Sequence, residues 1–132
     1  MCQLQMLNLY FTHYSFDKKR IDGEVKLNTN FAINYLKAED DNQIQVIIDT
    51  KICDDNNLLD ITLQTVGEFK LVKKSGDENF DKGIMTKNTV AIMFPYIRSQ
   101  ISLMTTQPGM APILLPPINV DALVEAKLNS NN

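Results

Sequence analysis

The sequence predicts an α+β fold: a four-stranded antiparallel sheet followed by a long and a short helix. Two observations carry this. Through the first two-thirds of the chain apolar residues alternate with polar ones, the period of strands covered on one face. Beyond residue 88 the apolar residues recur at helical spacing instead. Strands first and helices afterwards define layers in which the helices cover one side of the sheet.

The first strand runs through the Leu-, Tyr- and Phe-rich residues 4–16, apolar on both faces for part of its length. In the second, Phe31, Ile33 and Tyr35 alternate with Ala32, Asn34 and Leu36. E-D-D-N at residues 39–42 makes a turn, after which Ile44, Val46, Ile48 and Ile52 share a face opposite Gln45, Asp49 and Lys51. D-D-N-N at residues 54–57 turns the chain again, and Leu59, Ile61, Leu63, Phe69 and Leu71 oppose Asp60, Thr62, Gln64, Glu68 and Lys70. Residues 73–88 are polar and rich in turn formers, so they read as a connection.

Val90, Phe94, Ile97, Ile101 and Met104 then make a helical stripe with Arg98, Ser99, Ser102 and Thr105 on the other side. Asn88 or Thr89 is placed to cap it. Pro95 fits a first helical turn, which starts the regular helix near Phe94; the alternative is a kinked turn before it. Q-P-G at residues 107–109 ends it. Past the prolines, Asn119 or Asp121 caps a short helix striped by Val120, Leu123, Val124 and Leu128. Residues 1–128 thus form a single domain, and the polar residues 129–132 a frayed tail.

Composition narrows the function. At 132 residues, 44% hydrophobic and 22% charged, the chain buries an ordinary core. A net charge of -3 argues against nucleic acid, and the cluster Lys18-Lys19-Arg20 reads as a solvated turn. No apolar run approaches the ~20 residues of a membrane span. The first residues lack the pattern of a signal peptide, so the chain reads as cytoplasmic. Cys2 and Cys53 stand apart without metal-ligand spacing, as a terminal thiol and a strand residue.

Catalytic signals are weak. D-E-N-F-D-K-G at residues 77–83 alternates oxygen-bearing side chains as a calcium loop does. Its glycine comes one place late, however, and Asn88 stands where a closing glutamate is needed. His13, the lone histidine, has no marked nucleophile or acid beside it, and reads as a surface or edge residue. Tyr96 and Arg98 read as packing and an interface salt bridge. The glycines are scattered singly, so no phosphate loop exists. These features predict no enzyme, no metal and no cofactor.

The C-terminal third carries a more specific signal. N-T-V-A-I-M-F-P-Y-I-R-S-Q-I-S-L-M, followed by G-M-A-P-I-L-L-P-P-I-N-V-D-A-L, resembles the signature region of the SecB family of protein-export chaperones. The matching positions are Phe94, Pro95, Tyr96, Arg98, Ile101, Gly109, Pro112, Leu115, Pro117, Asn119, Asp121, Ala122 and Leu123. The resemblance implies a homotetramer, a dimer of dimers, with Val90, Phe94, Tyr96, Ile97, Arg98, Ile101 and Met104 contributing to the interface. It also implies unfolded polypeptides or preproteins as partners, held in apolar grooves without ATP, and docking on the SecA motor.

Two departures from the family pattern bear on those partners. The crossover after the first strand, D-K-K-R-I-D-G-E-V-K-L-N-T-N, is polar and lacks the usual Trp. Its client-binding residues under the resemblance are Ile21, Val25 and Leu27, joined by Phe31, Ile33, Tyr35, Val124 and Leu128. Of the carboxylates that dock SecA, Asp17 stands at a matching place, while His13 and Thr62 replace two others. The chain therefore reads as a SecB-type holdase for export, or alternatively as a SecB-like chaperone dedicated to another client, such as the antitoxin of a toxin–antitoxin module. A small enzyme or ligand-binding domain is a third reading, disfavoured by the proline and N-x-D-A-L spacing.

Overall fold

A computed structural model describes residues 3–20, 26–38 and 42–130. Four antiparallel strands, β1 (Gln3–Lys18), β2 (Leu27–Lys37), β3 (Gln43–Asp54) and β4 (Leu59–Lys73), form one sheet in the order β1-β4-β3-β2. Helix α1 (Glu78–Gly83), a π-helical turn (Ile84–Asn88), α2 (Thr89–Thr105) and α3 (Val120–Ser130) follow. The α+β layering expected from the two hydrophobic periods is present.

The alternation in β3 and β4 translates directly into burial. Ile44, Val46, Ile48 and Ile52 lie beside Leu59, Ile61, Leu63, Phe69 and Leu71 in the core under the helices. Strand β1 is apolar on both faces for a mechanical reason. Its pairing with β4 shifts between Met6 and Asn8 and again between Phe11 and His13, so Leu7 and Thr12 are extra residues. Each insertion reverses the alternation. Leu4 and Met6, then Leu9 and Phe11, then Phe16 consequently all reach the core side.

Asp54 shapes the β3–β4 turn. Its carboxylate accepts the N–H groups of Leu58 at 2.7 Å, Leu59 at 2.9 Å and Asn56 at 3.3 Å. Asn57 takes the left-handed conformation at φ 56°, which asparagine tolerates better than most residues. Burial pushes the Asp54 carboxyl up, but those backbone donors together outweigh it and hold its pKa below the usual carboxylate value.

Residues 73–88 depart from the expected loop. Asp77 caps α1, accepting from Asn79 N–H at 3.0 Å and Phe80 N–H at 3.3 Å. The oxygen-rich D-E-N-F-D-K-G segment is thus a helix cap and first turn. The expected caps of the long helix are corrected likewise: Asn88 is itself helical at φ -68° and makes no side-chain cap. Helical backbone runs from Glu78 through the π-turn into α2, placing Pro95 inside the helix and not in its first turn.

Past α2, Gln107-Pro108-Gly109-Met110 forms a turn closed by Met110 N–H donating to Gln107 C=O at 3.0 Å. Gly109 at φ 76° supplies the positive φ that a turn with proline before it requires. Thr105 Oγ1 accepts from Ile113 N–H at 2.7 Å, which fixes the link, and Leu115 is buried. Asn119 caps α3 by accepting from Ala122 N–H at 3.0 Å. The helix continues to Ser130, further than the tail boundary read at residue 128.

Candidate functional site

The α2 stripe lies on the sheet. Val90, Met93, Ile97 and Ile101 are fully buried, and Phe94 meets Phe31 edge-on with ring centroids 5.0 Å apart. The helix comes close where the sheet has a glycine: a Cβ on Gly67 would stand 2.7 Å from the Phe69 ring and 2.9 Å from Met93 sulfur. This corrects one expectation. Val90, Phe94, Ile97, Ile101 and Met104 are consumed by the chain's own core and do not face outward.

The outward face of α2 is a different stripe. Ile92 (37% exposed), Tyr96 (46%) and Leu103 (70%) follow one another at helical spacing, with Arg98 and Ser99 also exposed. Leu103 faces an open groove of about 590 Å³ shared with Pro95, Ser102 and, from the proline link, Leu114 at 76% exposure. Of the interface residues named from sequence, Tyr96 and Arg98 are the exposed ones. Leu103 and Leu114 escaped sequence reading because they lie outside the stripe that the helical period selects.

Of the described client-side candidates Phe31, Ile33, Tyr35, Val124 and Leu128 lie on or beside α3, whereas Ile21 and Val25 lie outside the described residues. Leu27, Phe31 and Tyr35 are half-buried along β2 and pack against the core. Ile33 (2% exposed) and Val124 (0%) are corrected from surface to core: they pin α3 onto β2. A cavity of about 320 Å³ opens on one side of α3 between Phe31, Ile33, Asn34, Leu123 and Lys127. Lys127 Nζ donates to Asn34 Oδ1 at 3.3 Å across its mouth.

A larger cavity of about 520 Å³ lies at the other side of α3, reached by Leu128, between β2, the end of β4 and the α1–π segment. Tyr35 forms part of it and donates its hydroxyl to Thr86 C=O at 2.7 Å. Burial pushes the Tyr35 phenol up to about 12. The π-turn positions Thr86 for this bond, and such turns often mark functional positions. Met85 and Thr86 carry no signal in the sequence, because the polar residues around them read as a connection.

The uncovered face of the sheet holds the remaining candidates. Asp17 is exposed near the end of β1, directly across from Asp60 on β4. His13 is exposed opposite Gln64, whose amide donates to Asp49 Oδ1 at 2.9 Å. Thr62 sits between Ser15 and Lys51 in the pairing. Asp49 and Asp60 therefore share a face with Asp17, a neighbourhood that only the strand register reveals. Among the described residues no group of three or more His, Cys, Asp or Glu is placed to hold a metal. Cys53 is a half-buried free thiol on β3, and Cys2 lies outside the described residues.

A four-stranded antiparallel sheet, helices on one face, and cavities of mixed lining beside the last helix define a small scaffold with candidate binding surfaces. The chain belongs to the SecB family: the model of that family, described as preprotein translocase subunit SecB, matches residues 2–131. An uncharacterised protein of Methanocaldococcus jannaschii is 29% identical over 131 residues, covering 93% of this chain and 83% of that protein. The protein-export protein SecB of Orientia tsutsugamushi (strain Boryong) is 28% identical over 116 residues, 86% of this chain and 71% of the relative. The SecB-like chaperone Rv1957 of Mycobacterium tuberculosis, solved in complex with a peptide from the HigA1 antitoxin, has the same fold. Its TM-score is 0.69 at 13% identity over 88% of both chains. No described helix is long and apolar enough to cross a membrane.

Proposed function

We propose that this chain is an ATP-independent holdase that binds unfolded polypeptides in the cavities flanking α3. Membership of the SecB family carries the reading, and the cavities beside Tyr35, Leu123 and Leu128 supply a surface for it. The mechanism is mass action. A protein that binds the unfolded state and not the native one lowers the free concentration available for folding and aggregation, with no bond made or broken. Phe31 in the smaller cavity and Tyr35 in the larger form the β2 wall of the site, Ile33 and Val124 hold its helix in place, and Leu128 reaches the larger cavity.

Preproteins kept competent for export are the proposed clients, in the cytoplasm. Asp17, backed by Asp60 and Asp49, is the proposed docking point for SecA on the uncovered sheet face. The proposed assembly is a homotetramer, joined in part through Tyr96, Arg98 and Leu103 on the outward face of α2. A second reading, a chaperone dedicated to an antitoxin, is favoured by His13 and Thr62 at positions where the export pattern has carboxylates. The related M. tuberculosis fold in complex with an antitoxin peptide points the same way.

The test is light scattering of a slow-folding preprotein diluted from denaturant with a stoichiometric amount of the protein. Suppressed aggregation is expected, and unchanged scattering overturns the holdase reading. Titration with the zinc-bearing C-terminal peptide of SecA separates the clients: binding supports export, and its absence favours the dedicated chaperone.

A further inference from the structure

We propose that the larger cavity beside α3 selects client segments in which an acidic residue adjoins an apolar one. The inference rests on the holdase reading and adds a charge preference to it. The cavity floor is apolar, built from Ile44, Leu71 and Met85 under Leu128, and its 520 Å³ suits a large side chain with the backbone that carries it. The rim is not apolar. Lys37 leaves the end of β2, Lys74 follows β4, and Lys82 lies on α1, so three separate elements bring ammonium groups to one opening.

All three lysines are exposed. Among the described residues none of them is within ion-pair distance of a carboxylate. The two carboxylates at the cavity differ in availability. Asp81 is 8% exposed and committed to Ser75, accepting from its N–H at 3.1 Å and its hydroxyl at 2.7 Å. Glu78 is exposed and offsets one lysine. Tyr35 contributes no charge, because burial holds its phenol protonated well above neutral pH.

A chain carrying -3 overall thus presents three lysines against the two carboxylates Glu78 and Asp81 at this opening, a small positive excess around an apolar floor. An incoming carboxylate pairs with lysines that no described carboxylate engages, and an incoming ammonium meets like charge. Because the rim is solvated, each pairing is modest and screened by salt.

Three fluorescein-labelled peptides with one shared Leu/Phe core, flanked by Asp, by Gln or by Lys, test this by anisotropy. At low salt the Asp-flanked peptide is expected to bind about 3- to 10-fold tighter than the Gln-flanked one, and the Lys-flanked peptide weaker still. The triple variant Lys37→Gln, Lys74→Gln, Lys82→Gln is expected to abolish the Asp-over-Gln gap. Its far-ultraviolet circular dichroism and urea midpoint, matched to the wild type, show that it remains folded. Equal affinity for all three peptides, or a gap that survives in the variant, overturns the charge preference and leaves the holdase reading standing. Failure of all three peptides to bind overturns both.

Discussion

Asp54 concentrates the stability of the β3–β4 connection in one carboxylate. Its ionised form is the one that the backbone N–H groups of Leu58, Leu59 and Asn56 recognise. A carboxyl whose folded pKa lies below its unfolded value stabilises the fold above the unfolded value, about 3.9. That contribution fades as pH falls through the folded pKa. Urea denaturation followed from neutral pH into acid is therefore expected to show a steeper loss of stability for the wild type than for Asp54→Asn. Parallel acid limbs for the two proteins would sink this account. D-D-N-N was legible as a turn, since its residue types favour one. Which of its two aspartates does the work was not, because only the paired strands on either side aim the Leu58 and Leu59 donors at Asp54.

At the scale of elements, Pro95 is the sharpest departure from simple expectation. It sits well inside α2, where it lacks the N–H that would donate to the carbonyl four residues earlier. Its ring is exposed beside the open groove of Leu103 and Leu114, so the core does not depend on it. Pro95→Ala is expected to stabilise the isolated chain, on the order of 1–3 kcal/mol, by adding a helical hydrogen bond. Urea unfolding measures this directly, and a net loss of stability refutes it. The strands were readable because β3 and β4 each bury one face without interruption. In β1 the insertions at Leu7 and Thr12 scrambled the pattern, and nothing local marks an insertion. The helix at residues 78–83 carries a single apolar side chain, Phe80, among polar and charged ones, so no stripe announces it. The segment's polar residues serve structure instead: Asp77 caps the helix and Asp81 accepts from Ser75.

For the whole molecule, the decisive point is that one helix has two apolar stripes with different destinations. The regular stripe, Val90 to Ile101, is spent on the sheet, and its loss unfolds the chain before it can report on assembly. The outward stripe at Ile92, Tyr96 and Leu103, together with Leu114, leaves large apolar side chains in water unless another surface covers them. Sequence could reveal the first stripe because helical period and hydrophobicity coincide there. Of the second it showed only Tyr96, through the family resemblance, and hid Ile92 and Leu103, which are spaced among Pro95, Arg98 and Ser99. The proposed homotetramer is the reading that covers them, and it predicts a separation of folding from assembly. Leu103→Asp, alone or with Leu114→Asp, is expected to convert the assembly to smaller species in multi-angle light scattering while leaving the far-ultraviolet circular dichroism unchanged. Ile97→Ala is expected to act the other way, costing about 2–5 kcal/mol of stability through a buried cavity. A wild-type chain that is monomeric at micromolar concentration, or a Leu103→Asp variant that stays fully assembled, removes the outward stripe of α2 from the interface.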